Sequence, residues 1–366
     1  MPVGAFCRQP LYLERMASSL NNSAWLEWMA GLMGGGSRQS HAASFPPNRF
    51  YCLLDELPLH LIPRWSCSAG RLHDRTQMLD LNPDCTLCSD GQLPAEVAAQ
   101  KELVSRFALQ GTIAWVRDAA TGCLLPFWLG PELEEIVETL RSGKSASSAL
   151  PVAAGDLLQQ AGILIATDPT ARARKDEGKK WEKGIRETAA SFQQRGYAPL
   201  PGLIHPFHVA ALRRYYRYLI RAGALELGDQ QSQRRYVAYN EPVARFFHRQ
   251  IVRWVTAVAG VPVKPSYVYL AAYLGGAELR KHTDRAQCEF SVTLCLDFSP
   301  EPELETPWPI RLDTAHGTIT VYQALGDGLA YRGTQVPHYR DRLGEGQTST
   351  SIFFHYVPDE FTGSLE

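Results

Sequence analysis

Eight cysteines among 366 residues are too few for a disulfide-held scaffold and fit a chain kept reduced. Charge of one sign is lacking too. Thirty-seven Lys and Arg stand against 38 Asp and Glu, a formal charge of −1, which argues against nucleic acid as the main partner. No apolar run reaches the roughly 18 residues that a membrane-spanning helix needs. The opening residues Met1–Gly4 carry no basic segment leading into an apolar core, so no secretory signal is read and the cytoplasm is the expected location. Phosphate-cradling loops, serine-nucleophile elbows and dinucleotide fingerprints are also missing, because no suitable helix follows the run Gly34–Gly36. What is present, 45% apolar and 20% charged residues, is ordinary for a globular protein with a sizeable core, and the length suits two domains.

Composition divides the chain. Residues 1–93 are irregular, with one amphipathic helix expected around Asn22–Met33 and five of the cysteines, Cys7, Cys52, Cys67, Cys85 and Cys88. Cys85 and Cys88 have zinc-ligand spacing, and Cys67 and His73 could complete a tetrahedral set. A second such pair is missing, and buried free thiols are the plainer alternative. Residues 94–166 read as a small α+β unit: a helix from Leu93 to Phe107, a hairpin formed by Thr112–Arg117 and Cys123–Leu129, a helix opened by Pro131, and a last helix carrying Leu157, Leu158 and Ala161. Leu133, Ile136, Val137 and Leu140 form the apolar face of the Pro131 helix, and Gly143 stops it. Residues 167–189 are polar and basic, expected as a linker or solvated helix start, and the run Arg213–Tyr218 is likewise expected to be an exposed face.

From residue 190 the pattern changes. A proline-started helix at Pro206 and a second near Pro242–Val258 precede short β-like runs at Tyr267–Tyr273, Cys288–Phe298, Ile310–Asp313, Gly317–Tyr322, Gly328–Tyr331 and Ser349–Val357. Gly, Pro and Asp turns separate them, as in a sandwich or jelly roll. Within this region stand His282 and Asp284. Residues two apart on an extended segment share a face, so both can meet one ion. With His338 they supply two imidazoles and one carboxylate, a facial donor set that suits Fe(II) and leaves positions open.

The surroundings recur in an ordered way: Tyr273-Leu-Gly-Gly through His282-Thr-Asp284, then Ser291-Val-Thr-Leu-Cys-Leu, Trp308-Pro309, Gly326-Asp327, Tyr331-Arg-Gly333 and Pro337-His338-Tyr-Arg340. Over about residues 190–360 this string resembles the 2-oxoglutarate/Fe(II)-dependent dioxygenases of the prolyl-4-hydroxylase-like branch. The resemblance implies an α+β chain whose C-terminal part is a double-stranded β-helix (jelly roll) braced by helices, with a separate, smaller N-terminal α+β domain. It implies His282, Asp284 and His338 as iron ligands, and Fe(II), 2-oxoglutarate and O2 as cofactor and cosubstrates. The implied reaction hydroxylates an amino acid, peptide or small natural product and releases succinate and CO2. Relatives that halogenate replace the carboxylate ligand, so Asp284 points to hydroxylation or a related desaturation or cyclisation. More weakly, residues 94–166 resemble, in their apolar positions, the winged-helix leader-peptide recognition domains attached to peptide-modifying enzymes; a small packing unit without a ligand is the alternative.

One departure stands out. The family places Arg or Lys on the last core strand to hold the tail carboxylate of 2-oxoglutarate, but Gly346–Ser351 contains no cation. Losing that charge-assisted pair would cost about 1.5–3 kcal/mol, so another base should replace it. Arg340, two residues past His338, is the first choice because it can share the ligand's face and match a carboxylate bidentately. Arg342 and His355 rank behind it, Tyr269, Ser349 and Thr350 could add hydrogen bonds, and Asp327 or backbone carbonyls could orient the imidazoles. The competing arrangement for Arg340 is an ion pair with Asp341 or Asp327. Should no cation reach the pocket, the chain would use another cosubstrate or none; the cation missing from the last strand also motivates a rival reading, a peptide-binding module beside an idle jelly roll, with DNA binding less favoured. His205, His208, His248 and His316 have no partner at metal spacing.

Overall fold

The computed structural model describes residues 45–56, 79–89, 91–118, 121–143, 150–166 and 170–366. The helix expected near Asn22–Met33, and Cys7, Cys67 and His73, lie outside the described residues. An α+β module comes first: β1 (Leu79–Leu81), β2 (Cys85–Cys88), α1 (Ala95–Ala98), α2 (Lys101–Val104), β3 (Thr112–Arg117), β4 (Leu124–Leu129), α3 (Pro131–Arg141), α4 (Val152–Gln160) and β5 (Leu164–Ala166). The hairpin and both later helices form where the pattern places them, and Leu133 and Val137 are the buried rungs of α3. The helix expected from Leu93 to Phe107 is instead two four-residue helices, because Gln100 leaves the helical region at φ −99°, ψ 75°. Strand β2 adds to the hairpin in the order β2-β3-β4, and β1 pairs with β5. The module therefore reaches back into the stretch expected to be irregular. Cys85 and Cys88 lie three apart on the regularly paired β2, which sends their sulfurs to opposite faces. They do not form a two-sulfur clamp.

The stretch expected as a linker is helical from Thr170, in α5 (Thr170–Arg195). Its apolar rungs are seated: Ile185 and Phe192 are buried, and Trp181 meets Trp254 edge-on at 5.4 Å. The remaining chain is β6 (Tyr197–Leu200), α6 (Pro206–Arg221), β7 (Glu226–Leu227), β8 (Arg235–Tyr239), α7 (Pro242–Gln250), α8 (Val252–Ala259), β9 (Val263–Leu274), β10 (Leu279–His282), β11 (Phe290–Ser299), β12 (Ile310–Thr314), β13 (Gly317–Val321), β14 (Gly328–Arg332), β15 (His338–Arg340) and β16 (Thr348–Pro358). A seven-stranded sheet, β6-β14-β11-β16-β9-β8-β7, faces a four-stranded sheet, β10-β15-β12-β13, and every pairing is antiparallel. This is the double-stranded β-helix of an α+β chain.

Alternation along the strands sorts the side chains. On β16, Phe354 and Tyr356 turn outward to the helices, where both rings meet His248 of α7, while Phe353 and His355 turn inward. Between the sheets, Ile310 and Leu312 pack on Leu329, Tyr331 and Val336. The module is not insulated from the β-helix. The ring of Phe50 meets Tyr215 of α6 and Phe247 of α7 at 6.0 Å each, and His208 Nε2 donates to the Pro126 carbonyl at 2.9 Å. One apolar cluster runs through both. Each fully buried Phe in that seam stabilises by about 1.5–3 kcal/mol. The basic run on α6 is not the exposed face it was expected to be. Arg213 is buried, bonding Asp297 at 2.7 Å and pairing with Glu301, and Arg217 bonds the other Asp297 oxygen at 2.6 Å. These pairings cement α6 to the far end of β11.

Candidate metal centre

Strands β10 and β15 run antiparallel, and their register sets His282 directly opposite His338. Cross-strand partners point to the same face with Cβ atoms about 5 Å apart, so the rings lie together, centroids at 4.4 Å. Asp284 follows just past β10, its backbone N–H donating to the Gly333 carbonyl at 2.8 Å. Its Oδ1 lies 3.7 Å from His282 Nε2 and 3.5 Å from His338 Nε2. One donor atom from each of the three residues falls within 4.8 Å of the others.

Hydrogen bonds aim these atoms. His282 Nδ1 donates to the Arg280 carbonyl at 2.8 Å and His338 Nδ1 to the Val336 carbonyl at 3.0 Å. In each case the carbonyl two residues earlier fixes the tautomer and leaves Nε2 with a free lone pair. Burial holds the His338 imidazole in its neutral, ligating form by lowering its pKa. Backbone carbonyls thus do the orienting. Asp327 is elsewhere, accepting from the N–H groups of Gly202 at 2.9 Å and Ala324 at 3.1 Å.

The carboxylate has its own support. Ser291 Oγ donates to Asp284 Oδ2 at 2.8 Å and lies 2.9 Å from His355 Nδ1. A hydroxyl has one proton to give, so the serine that donates to Asp284 accepts from His355, which fixes His355 as the Nδ1–H tautomer. Burial pushes the His355 pKa down to about 4, keeping it neutral. Gly333 makes room for this array: a Cβ there would lie 2.3 Å from the Cys288 carbonyl, 2.4 Å from Asp284 Oδ2 and 2.6 Å from Ser291 Oγ.

Deeper between the sheets lies a cationic niche. Arg340 shares the inward face with His338 and is only 4% exposed. It donates through Nη1 to the Trp308 carbonyl at 2.6 Å and through Nη2 to Gln323 Oε1 at 3.3 Å, with its guanidinium 4.9 Å above the Trp308 ring. Its Nε has no partner, and no carboxylate of the described residues pairs with it. The ion pairs that sequence left open are used otherwise. Asp341 bonds Arg311 at 2.7 Å, and Arg342 bonds Glu345 on the surface. Two further buried hydroxyls are unpartnered, Thr293 on β11 and Ser351 on β16. Ser351 lies opposite Cys295, whose thiol feels the Arg340 charge. Arg340 Nε and the Thr293 and Ser351 hydroxyls are thus three buried polar atoms without a protein partner.

The other expected residues divide. Ser349 lies opposite Tyr273 and shares the inward face with Ser351. Thr350 does not: it pairs with Asp297, whose carboxylate bonds the α6 arginines, and so faces the helices. Tyr269 lines the cavity, but its hydroxyl donates to Asp229. His355 lines the cavity too, and its Nδ1 bonds Ser291. Sequence reasoning did not assign roles to Ser291, Gly333, Thr293, Ser351, Tyr331 or Arg235. Arg235 is buried in the cavity wall, paired with Asp229 and donating to the Tyr273 hydroxyl at 2.9 Å. A cavity of about 460 Å³ opens over His282, Asp284 and His338, walled by Tyr267, Tyr269, Tyr273 and Tyr331. Such a volume suits a small organic molecule.

No protein-family profile and no curated protein sequence matches the chain. Among solved structures, the non-haem α-ketoglutarate-dependent epimerase SnoN from nogalamycin biosynthesis is similar at 14% identity and a TM-score of 0.41, over 48% of this chain and 83% of that one. A Pseudomonas putida prolyl-4-hydroxylase is similar at 17% identity and a TM-score of 0.40, over 48% of this chain and 98% of that one. HygX from Streptomyces hygroscopicus, solved with nickel and 2-oxoglutarate bound, is similar at 16% identity and a TM-score of 0.38, over 48% and 88%.

Proposed function

We propose that the chain is a non-haem Fe(II)- and 2-oxoglutarate-dependent dioxygenase that hydroxylates an amino acid, peptide or small natural product, with release of succinate and CO2. The observation that carries this reading is the convergence of two free imidazole Nε2 atoms and one carboxylate Oδ1 on one face of a cavity. Such a donor set suits Fe(II) and leaves open positions for a bidentate cosubstrate and O2. When bound, the iron and cosubstrate supply the oxidising chemistry.

The chain's own residues bind, orient and exclude water. His282 and His338 present Nε2, and Asp284 presents Oδ1 while Ser291 occupies Oδ2. Arg340, Thr293 and Ser351 receive the tail carboxylate of 2-oxoglutarate in the niche, with the ring of Tyr331 beside His338 closing the wall at 4.6 Å. The orphaned Nε of Arg340 and the two hydroxyls match an anionic acceptor group. Against the idle-jelly-roll alternative stands Arg340, a buried cation on β15 where the last strand β16 supplies none.

Anaerobic addition of Fe(II) and 2-oxoglutarate should produce a weak visible charge-transfer band, and His282→Ala should abolish it together with succinate formation. Unchanged turnover in His282→Ala would overturn the assignment.

A further inference from the structure

Three arginines border or underlie the cavity, and their partners differ. Arg340 is deep and faces the cosubstrate niche. Arg235 is neutralised by Asp229, which also accepts the Tyr269 hydroxyl and the N–H groups of Gln231 and Ser232. Arg285, the residue after Asp284, is exposed and lines the cavity on the metal side. Its Nε donates to the Tyr267 hydroxyl at 3.2 Å, and its guanidinium lies 4.5 Å over the Tyr267 ring and beside the Tyr239 hydroxyl. No carboxylate of the described residues stands within ion-pair distance of it, whereas Arg235 in the same cavity is paired with Asp229. Two tyrosines thus hold a guanidinium in place at the cavity mouth with its charge unanswered. A guanidinium constrained this way has little freedom left to lose on binding, and its fork matches a carboxylate.

The geometry points to Arg285 as the residue that selects the substrate: an organic acid whose carboxylate is held by Arg285 while its apolar body lies along the tyrosine wall. This rests on the dioxygenase reading for the fate of the substrate, but not for its binding. With Arg235 and Asp229 answering each other, the one guanidinium of the cavity left without a carboxylate is Arg285, and a single positive charge matches a monoanion better than a dianionic phosphate. Tyr239 and Tyr267 stack with centroids at 5.0 Å, and Tyr239 keeps 44% of its surface exposed, which leaves an apolar face for the body of the acid. Because Arg285 lines the same cavity as His282, Asp284 and His338, an acid seated on it lies in the space that these three side chains face.

The test uses the full-length chain, held anaerobically with saturating Fe(II) and 2-oxoglutarate, and titrates a matched pair of probes, 3-phenylpropanoate and 3-phenylpropanamide. The acid should bind at least about ten-fold more tightly than the amide, the effect of one charge-assisted pair. In Arg285→Gln the ratio should fall to within about two-fold, and Arg285→Lys should recover part of it. Equal binding of acid and amide by the unaltered chain, binding of neither, or an undiminished ratio in Arg285→Gln would each overturn the inference. The charge-transfer band of Fe(II) and 2-oxoglutarate is read in the same samples and should persist in Arg285→Gln. Absence of the band from the unaltered chain counts against the dioxygenase reading, and the acid-to-amide ratio still reports on Arg285.

Discussion

Replacing Arg340 by Met removes the buried cation while keeping most of its volume. In the free protein the guanidinium is desolvated with only two neutral acceptors and a tryptophan face, and burial depresses its pKa. A carboxylate placed at the unpartnered Nε would add a charge-assisted bond worth about 1.5–3 kcal/mol, so its loss should weaken 2-oxoglutarate by about 10- to 150-fold. Ligand-linked stabilisation gives the assay. At a 2-oxoglutarate concentration of about 100 Kd the unaltered chain gains about 2.7 kcal/mol on binding. The same concentration should give Arg340→Met only about 0.3–1.4 kcal/mol, read as a smaller 2-oxoglutarate-dependent rise in Tm. Each variant is compared with its own ligand-free state, so any cost from stranding the Trp308 carbonyl and Gln323 cancels. Equal stabilisation of Arg340→Met and the unaltered chain would refute the niche as the tail-carboxylate site. Ser351→Ala, which removes one hydroxyl donor to the same carboxylate and leaves the cation, should also weaken 2-oxoglutarate, by about ten-fold, as loss of a hydrogen bond to a charged group demands.

Three further outcomes follow from the same contacts. Gly333→Ala pushes a methyl group to 2.4 Å from Asp284 Oδ2 and 2.3 Å from the Cys288 carbonyl, so equilibrium dialysis should show Fe(II) binding lost or strongly weakened; normal affinity would mean the cradle yields freely. Ser291→Ala frees Asp284 Oδ2 and should weaken Fe(II) by about 10- to 100-fold in a competitive-chelator titration, with His282 and His338 still aimed by their carbonyls. His208, His248 and His355 are buried and His205 is half-buried, and desolvation holds all four neutral, with pKa values pushed down to about 4 for His205 and His355 and about 3 for His208 and His248. Their stabilising contribution is complete above the unfolded value of about 6.5 and is lost as pH falls from there toward the folded values. Unfolding near pH 5 should take up about four protons at these sites, so Tm should drop steeply between pH 7 and pH 5; a flat Tm would show that these rings are not held neutral.

The chemistry-bearing residues were legible where the signal is local. His282 and Asp284 share a face because they lie two apart on extended chain, and Arg340 follows His338 onto the same face for that reason. Strands β10 and β15 are only four and three residues long and leave no periodic trace, yet their register is what sets His282 opposite His338. Among Ser349, Thr350 and Ser351 the inward residues depend on register, and a shift of one position reverses the face. Thr350 was therefore expected inward and lies outward, while Ser351 takes the place beside the niche. Ser291 and His355 are 64 residues apart and meet only because β11 pairs with β16. Arg213 looked solvated since its acids, Asp297 and Glu301, lie 84 and 88 positions away. Gln100, which ends a helix one turn in, carries no breaker signal that the sequence could show.

Anaerobic titration of the full-length chain with Fe(II), in the presence of 2-oxoglutarate, puts the convergence of His282, Asp284 and His338 to the most direct test. One ferrous ion should bind per chain with growth of a visible absorption band, and binding should fail in His282→Ala and His338→Ala. Wild-type stoichiometry and an unchanged band in both variants would mean that these three side chains hold no metal.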